Sequence, residues 1–323
     1  MVSLVMFNVL KLCISAMPAR MGYFLARKLT IFHYYSFPSR RAAVLSNVHH
    51  VLTNSPAPRF KELKEEQIAK LIFGSFNEFL FEFFKIPLLD RQRVERAFSF
   101  EGLQNLESAL ARGNGVIVVT AHIGNWEMGG VALAVLGYKL HVVAGIQFSN
   151  SLSEHVKDVK RKLNIDVVSP EEGYRALFRA LKDNELVVLL VDGDVYVNGL
   201  KLDFFSKPAR IPSGPAALAL KTGAAIVPGY VKREGPLHFR MHVDEPVFPV
   251  QTGNKAEDVE KLSRQILSRV ESYIEENLDQ WCIFRDIWTP QSKQETVSEA
   301  QRAENHAFED SPARSSTENP CYK

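Results

Sequence analysis

Beyond about residue 95, the chain alternates short apolar runs with longer amphipathic stretches. The runs are rich in β-branched residues, which is typical of buried strands, and the stretches between them show helical spacing. The predicted strands are 116–120, 140–143, 186–191 and 225–228, and the predicted intervening helices are 125–136, 151–163, 172–181 and 213–222. This alternation predicts an α/β fold with a mainly parallel central sheet and helices on both faces. Ligands of such sheets bind at the carboxyl ends of the strands.

The segments on either side of this region divide the chain into three predicted parts. Helical spacing also predicts helices over 39–52, 60–84 and 256–278. We expect residues 1–60 to form basic amphipathic helices, residues 61–290 to form the α/β domain, and the polar residues 291–323 to be a disordered tail. The composition, 46% hydrophobic and 24% charged over 323 residues, is that of a globular protein.

Charge is unevenly distributed, although the formal net charge is only +2. Residues 1–61 contain eight lysines and arginines and no acidic residue, so the rest of the chain is net acidic. Cations among aromatic and aliphatic side chains are typical of helices that lie in the headgroup region of a membrane. No zinc-finger, RNP-like or arginine-rich pattern favours nucleic acid. The alternative is that these segments are core helices with solvated cations.

The apolar run of residues 2–17 is interrupted by Lys11 and is shorter than the roughly 20 residues that a spanning helix needs. A cleaved secretory signal is disfavoured because no basic residue precedes the run. We therefore expect a peripheral or monotopic association with the membrane. The three cysteines, Cys13, Cys282 and Cys321, lack metal-binding or disulfide-framework spacing, which fits a reducing compartment.

The first strong strand is followed by His122, Gly124, Asn125 and Glu127. His122 and Glu127 would lie ~140° apart on one regular helix. If Gly124 breaks the chain and Asn125 caps a new helix, Glu127 lies in the first helical turn and His122 can fold back towards it. A carboxylate on one imidazole nitrogen would make the other nitrogen a base for a hydroxyl proton. The alternative is a histidine satisfied within a turn.

A second candidate group follows the strand 186–191, where Asp192 and Asp194 flank a glycine. These carboxylates could bind a metal, hold His122 or cap a turn. Downstream, Lys207, Arg210 and Lys221 could meet a substrate phosphate near a helix start at Ser213, or could be solvated surface cations. No GxSxG, HExxH, GxGxxG or Walker A sequence is present, so the activated hydroxyl is expected to belong to the substrate.

Several blocks in a fixed order carry a resemblance to a known family. They are AHIGNWE with His122 and Glu127, Asp192-Gly193-Asp194, Phe204-Phe205, Pro212-Ser213-Gly214-Pro215, Lys221-Thr222-Gly223-Ala224, and Trp281 with Arg285. Over about residues 20–290, the chain resembles the bacterial lipid A biosynthesis (late) acyltransferases, a family that includes the phosphatidylinositol mannoside acyltransferases. The resemblance implies a glycerolipid-acyltransferase-like domain.

The resemblance also implies a reaction, namely fatty acyl transfer from acyl carrier protein or coenzyme A to a hydroxyl of a membrane glycolipid. It would occur at the cytoplasmic face of the inner membrane, with no metal or bound cofactor. By analogy, His122 is the base, Glu127 its orienting partner and Asp192 or Asp194 a supporting acid. The predicted substrate-binding residues are Asn125, Lys207, Arg210 and Arg285.

Two departures leave the acceptor open between a lipid A precursor and a mannosylated inositol lipid. Trp281 is followed by Arg285 and Asp286 rather than a basic cluster, and an Arg-Pro-Leu-Asp segment is missing around Asn150. An alternative function is a metal-dependent glycosyltransferase that uses Asp192 and Asp194, and a third is a non-catalytic membrane adaptor. Intact His122 and Glu127 argue against the adaptor.

Overall fold

The computed structural model describes residues 12–143, 160–168, 173–193 and 199–288. Four predictions therefore lie wholly or largely outside the described residues: the apolar run 2–17, the polar tail, most of the helix 151–163, and any role of Asp194.

Helices and strands alternate through the second half of the described chain. The helices are α1 (Ala19–Ser36), α2 (Pro38–Asn54), α3 (Glu65–Phe83), α4 (Arg91–Ala97), α5 (Leu103–Leu110), α6 (Trp126–Val135), α7 (Gly173–Lys182), α8 (Gly214–Thr222) and α9 (Lys255–Glu276). The strands are β1 (Phe98–Glu101), β2 (Val116–Thr120), β3 (Leu140–Val143), β4 (Ile165–Val168), β5 (Leu186–Leu190), β6 (Leu200–Phe204), β7 (Lys207–Ile211), β8 (Ala225–Gly235) and β9 (His238–Val243). Short 3₁₀ turns cover Pro58–Phe60, Ile86–Leu88 and Leu278–Gln280.

Within the described residues, seven strands form the central sheet in the order β1-β9-β8-β2-β5-β3-β4. Strands β8, β2, β5, β3 and β4 pair in parallel, and β1 pairs in parallel with β9. The β8–β9 hairpin is antiparallel and so interrupts an otherwise parallel sheet. Strands β6 and β7 form a separate antiparallel hairpin. The carboxyl ends of β2 and β5 are adjacent, because Thr120 is in register with Leu190.

The sheet is covered on both faces, as the alternation predicts. Along β2, Ile117 and Val119 belong to one apolar cluster, which includes residues of α2, α3, α7, α8 and α9. Val116 belongs to the other cluster, together with residues of α5 and α6. Successive side chains of a strand point to opposite faces, so a strand buried on both faces is apolar throughout. The predicted fold class is therefore confirmed.

The predicted strands correspond to β2, β3, β5 and the first part of β8, and the predicted helices in the described residues correspond to α2, α3, α6, α7, α8 and α9. The sequence pattern missed β1, β4, β6, β7 and β9, as well as the short helices α4 and α5. Strand β9 shows why, because its burial alternates between exposed or half-buried and buried positions. Such a strand lacks the continuous apolar run that marks the central ones.

The amino-terminal helices share their core with the sheet. Tyr34 of α1 and Val44, Val48 and Val51 of α2 belong to the same apolar cluster as Ile117. The boundary predicted at residue 60 therefore does not coincide with a break in this core. Helix α1 packs closely on α3, since a Cβ atom at Gly22 would lie 2.1 Å from the Phe81 ring.

The other face of α1 is uncovered in the described structure. It carries seven large apolar side chains that are 42–62% exposed, namely Met21, Phe24, Leu25, Leu29, Ile31, Phe32 and Tyr35. Lys28 lies among them, with its ammonium group 5.5 Å from the centre of the Phe24 ring. Thus the basic helix is neither wholly a core helix nor wholly a surface helix. In the part of the chain that the structure describes, no helix is both long and apolar enough to cross a bilayer.

Candidate active site

The candidate site lies in the turn that joins β2 to α6. Gly124 adopts a φ of +58°, and a Cβ atom there would lie 2.1 Å from the carbonyl oxygen of Val231 in β8. Only glycine fits both the left-handed backbone and this close approach. Asn125 then caps α6, because its Oδ1 accepts a hydrogen bond of 2.9 Å from the Met128 N–H. The predicted chain break and helix cap are both confirmed, and His122 is left at the carboxyl end of β2.

His122 is held by Asp192, which follows the neighbouring strand β5. The Nδ1 atom of His122 lies 2.9 Å from Asp192 Oδ1, and its backbone N–H donates to Asp192 Oδ2 over 2.8 Å. The Nε1 atom of Trp281 also donates to Oδ2, over 2.9 Å. Because an ionised carboxylate only accepts hydrogen bonds, Nδ1 carries the proton and Nε2 is the basic nitrogen of the neutral ring.

The electrostatics of this pair favour an ionised aspartate. Asp192 is fully buried, whereas the His122 side chain is 29% exposed. Burial raises the pKa of Asp192, but the charge of His122 and the hydrogen bonds from His122 and Trp281 outweigh burial and bring the pKa below its ordinary value. A buried, ionised Asp192 can both fix the imidazole and stabilise the imidazolium that forms when Nε2 takes a proton.

Glu127 lies in the first turn of α6, as predicted, but the orienting contact expected of it is made by Asp192. The Glu127 carboxylate instead pairs with Lys160, whose Nζ lies 2.7 Å from Oε2 and 3.0 Å from Oε1. The physical reason is that adjacent parallel strands end at the same edge, so Asp192, two residues after the end of β5, reaches Nδ1 directly. This geometry corrects the prediction that Glu127 orients His122.

Asn125, predicted to bind substrate, is fully buried. While its Oδ1 caps α6, its Nδ2 donates to Glu82 Oε2 over 2.7 Å. Both polar ends of the side chain are therefore used inside the protein. These contacts give Asn125 a structural role in the turn, which the sequence did not indicate, and the substrate contact expected of it stays a prediction.

The predicted cationic residues do not gather in one place. Lys207 and Arg210 are exposed on β7, where Arg210 donates to the Gly199 carbonyl over 3.3 Å. Lys221 lies at the far end of α8, 5.1 Å from the centre of the Phe178 ring. Arg285, in contrast, is next to the site, since a Cβ atom at Gly193 would lie 2.4 Å from its Nη2 atom. Arg285 is thus the predicted substrate-binding cation that the fold brings beside Asp192.

An apolar cavity lies on the far side of Trp126, a residue that contacts the histidine. The Trp126 ring meets the His122 ring edge-on at 4.8 Å between centroids, and it also lines this cavity. The rest of the lining comes from α6 and from the sheet, including Gly129, Val231 and Met241. At Gly129 a Cβ atom would lie 2.5 Å from the Val231 side chain, so glycine lets α6 approach β8 closely.

Three important residues of the site were not identified as such from the sequence. Trp281 was noted only as part of a motif, and its hydrogen bond to Asp192 depends on a separation of 89 residues that carries no local signal. Glu82 and Arg233 form a buried ion pair beneath the turn. The available signal was the charge of Glu82 between the phenylalanines of α3, because buried charges are paired.

Metal binding receives no support from the described residues, among which no group of three or more histidine, cysteine or acidic side chains could hold an ion. Asp192 has both carboxylate oxygens engaged by His122 and Trp281. The carboxylate oxygens of Asp192 therefore serve as hydrogen-bond acceptors for His122 and Trp281 rather than as metal ligands.

Comparison with known proteins gives a consistent assignment. The family model for bacterial lipid A biosynthesis acyltransferase matches residues 2–289. Phosphatidylinositol mannoside acyltransferase of Mycobacterium tuberculosis is 28% identical over 237 residues, which is 71% of each chain. The protein of that name from Mycolicibacterium smegmatis is 30% identical over 174 residues, 53% of this chain and 57% of its own. Lipid A biosynthesis acyltransferase of Haemophilus influenzae is 20% identical over 268 residues, 81% of this chain and 80% of its own.

Among solved structures, the 1-acyl-sn-glycerophosphate acyltransferase of Thermotoga maritima aligns with a TM-score of 0.36 and 15% identity, covering 79% of this chain and 98% of that one. The α/β fold and the family match together define this protein as an acyltransferase. The chain belongs to the bacterial lipid A biosynthesis acyltransferase family, whose model spans nearly all of it outside the polar tail.

Proposed function

We propose that this enzyme transfers a fatty acyl chain from an acyl thioester to a hydroxyl of a membrane glycolipid, with His122 as general base. The donor is acyl carrier protein or coenzyme A thioester. The observation that carries the proposal is the His122–Asp192 pair at the carboxyl ends of β2 and β5. The pair orients one imidazole nitrogen inward and leaves a partly exposed ring to meet a substrate.

The chemistry follows from this arrangement. His122 Nε2 removes the proton of the acceptor hydroxyl as its oxygen attacks the thioester carbonyl carbon. A carbon–oxygen bond forms, the carbon–sulfur bond breaks, and the imidazolium returns its proton to the leaving thiolate. The products are an ester and a free thiol, and no bond to the enzyme is formed. Asp192 stabilises the transient imidazolium through its hydrogen bond to Nδ1.

The apolar cavity beside Trp126 supports an acyl substrate. It is lined mainly by apolar side chains and glycine backbone, and Trp126 of this lining contacts the His122 ring. Burial of methylene groups in such a cavity stabilises the complex by about 0.8 kcal/mol for each group. With a volume of about 50 Å³, the cavity accommodates part of a fatty acyl tail, and a chain that enters it beside Trp126 would place its thioester carbonyl near the histidine, as the proposed reaction requires.

The exposed apolar face of α1 supports action at a membrane. Seven large apolar side chains around Lys28 match the surface that an interfacial helix inserts among lipid headgroups. The basic residues of the first 61 positions would add attraction to anionic lipid. We place the enzyme peripherally at the cytoplasmic face of the cell membrane, where thioester donors and membrane glycolipids meet.

For the acceptor, a phosphatidylinositol mannoside-type glycolipid is favoured over a lipid A precursor. The phosphatidylinositol mannoside acyltransferases are 28–30% identical to this chain, against 20% for the lipid A enzyme from Haemophilus. The closing segment also offers Arg285 but no basic cluster, and Asp286 accepts hydrogen bonds from Ser46 and from the Trp288 N–H. A site with fewer cations fits an acceptor that carries fewer phosphates.

The metal-dependent glycosyltransferase considered from the sequence is not retained. That reaction leaves His122 without a necessary role, and the chain belongs to an acyltransferase family.

Acyl transfer by the His122→Gln variant tests the proposal, and His141→Gln is a matched control. His141 also pairs with carboxylates, Glu185 and Asp166, but it lies on β3 away from the His122 turn. Labelled palmitoyl thioesters of coenzyme A and of acyl carrier protein are supplied with lipid extracts, and the acylated lipid is identified by mass spectrometry. We expect His122→Gln to lower the rate by about 10²–10⁴-fold and His141→Gln to retain it. A wild-type rate for His122→Gln would contradict the proposal.

A further inference from the structure

A buried ion pair lies between the amino-terminal helices and the turn that carries His122. Arg233 of β8 meets Glu82 of α3 through two parallel hydrogen bonds, Nε to Oε1 at 2.5 Å and Nη2 to Oε2 at 2.7 Å. The side chain of Glu82 is fully buried, and that of Arg233 is 6% exposed. Arg233 Nη1 also donates to Ser75 Oγ and lies 3.4 Å from Glu78. Two buried charges persist only when they are paired and fully hydrogen-bonded.

One side of this pair reaches α1. The Tyr23 hydroxyl, on the buried face of α1, donates to Glu82 Oε1 and accepts a hydrogen bond from the Leu237 N–H over 2.8 Å. Burial and the neighbouring Glu82 raise the pKa of Tyr23 well above its usual range, so the hydroxyl remains a donor. Glu78 adds a second link, because it accepts a hydrogen bond of 2.8 Å from Arg27 of α1.

The other side of the pair reaches the His122 turn. Asn125 Nδ2 donates to Glu82 Oε2, which already accepts from Arg233. Gln280 also joins the two regions, since its side chain exchanges hydrogen bonds with the backbone of Arg233 and its carbonyl accepts from the Gly124 N–H. The turn from His122 to Asn125 is therefore anchored to Arg233 and Glu82 as well as to Asp192.

We propose that Glu82 and Arg233 are positioning residues that connect α1 to the His122 turn, through Tyr23 on one side and Asn125 on the other. Through this connection, contact of α1 with lipid sets the orientation of His122. This inference rests on the proposed acyltransferase function. Its physical basis is that rigid, fully hydrogen-bonded buried groups transmit a displacement of one element to another. An error of about 1 Å in the placement of a reacting group can cost about 10²-fold in rate.

The experiment removes the hydrogen bond to Glu82 on each side and leaves the Glu82–Arg233 ion pair intact. Asn125→Ser retains a helix-capping oxygen but removes the donor to Glu82, and Asn254→Ser is the matched change at the cap of α9. Tyr23→Phe removes the hydroxyl that reaches Glu82, and Tyr34→Phe removes one from a buried tyrosine of the same helix that packs in the apolar cluster of Ile117. All four are made in the full chain.

The rate of acyl transfer is measured with palmitoyl coenzyme A or with palmitoyl acyl carrier protein. The thioester used is the one that the wild type consumes faster. Rates are measured with and without vesicles of phosphatidylglycerol and phosphatidylcholine, per folded molecule and below each unfolding transition. We expect Asn125→Ser to lower kcat by about tenfold with KM unchanged, and the downfield Nδ1 proton of His122 to broaden in its NMR spectrum. We expect Tyr23→Phe to lower the stimulation by vesicles at least about threefold, while both controls behave as wild type.

The outcomes separate this inference from the proposed function. Wild-type kinetics and an unchanged Nδ1 resonance in Asn125→Ser, or equal vesicle stimulation in Tyr23→Phe and Tyr34→Phe, would overturn the connection and leave the acyltransferase function standing. A wild type that is active but unaffected by vesicles would also overturn it. A wild type that consumes neither thioester would refute the function, and the connection with it.

Discussion

Asp192 is the residue that decides the geometry of the site, since it accepts hydrogen bonds from the ring and backbone of His122 and from Trp281. Asp192→Asn replaces one acceptor oxygen by an amide that can donate to Nδ1, which would favour the wrong imidazole tautomer. We expect a fall in kcat of about 10³–10⁴-fold, by analogy with the serine-protease triad. Single-turnover transfer measures it, with the exposed Asp203→Asn as control. A rate within a few-fold of wild type would show that Asp192 has no orienting role.

The lowered pKa of Asp192 also predicts a dependence of stability on pH. A carboxyl with a depressed folded-state pKa contributes stability that is present above its ordinary pKa and is lost as the pH falls through the folded-state value. The stability difference between wild type and Asp192→Asn should therefore be largest above about pH 5 and should shrink below about pH 4. Urea unfolding across this range measures it. A constant difference down to pH 3 would contradict the assignment of the low pKa to Asp192.

Trp281 and Trp288 offer a matched pair of buried indoles. Trp281 Nε1 donates to Asp192, whereas Trp288 Nε1 donates to the Phe204 carbonyl over 3.0 Å. Replacement of either by phenylalanine leaves one buried acceptor short of a donor, which costs about 1–3 kcal/mol of stability. Only Trp281→Phe should also lower kcat, by about tenfold, because it loosens the carboxylate that orients His122. Equal catalytic effects of the two substitutions would reduce Trp281 to a packing role.

At the scale of elements, α1 combines two faces with different tasks. Its buried face packs on α3, and its uncovered face presents Phe24 and Phe32, each 58% exposed. Phe24→Ser combined with Phe32→Ser should weaken binding to anionic vesicles by about 30-fold or more, since apolar area would no longer leave water. Folding stability should change little because both side chains are already exposed.

Vesicle sedimentation measures this binding. The matched control is Phe248→Ser with Val250→Ser, two exposed apolar residues outside α1 that are 40% and 70% exposed. If the control weakens binding as much as the α1 variant, general surface hydrophobicity rather than the α1 face is responsible.

Elements with a strong local pattern were predictable, and those without one were not. The central strand β5 is apolar throughout and β2 is apolar up to Thr120, because helices cover both faces of the sheet. The cap at Asn125 and the break at Gly124 are also local, since the cap needs only a side-chain oxygen and the break only a left-handed backbone. Strands β1 and β9 were missed because they are short or half-buried, and their pairing joins residues about 140 positions apart, as in Phe98 with Phe239.

For the whole molecule, the Glu82–Arg233 pair joins α3 to the sheet. Glu82→Ala would leave Arg233 buried without its main partner, which should lower the free energy of unfolding by about 3–5 kcal/mol. Arg264→Ala, which breaks an exposed ion pair with Glu260, should change it by less than about 1 kcal/mol. Chemical denaturation measures both. If Glu82→Ala lowers the free energy of unfolding as little as Arg264→Ala does, water reaches the Glu82–Arg233 pair.

The sequence by itself determined the α/β alternation, the histidine turn and the basic amino-terminal segment. These depend on local periodicity, glycine and capping chemistry, and charge, which act over a few residues. Only the tertiary structure decided that His122 pairs with Asp192 rather than Glu127, and that Asn125 is buried on Glu82. Strand order brings residues 70 positions apart to one edge of the sheet, and local sequence does not encode that order. The individual residues of the site can therefore be identified from the sequence, whereas the contacts between them depend on the fold.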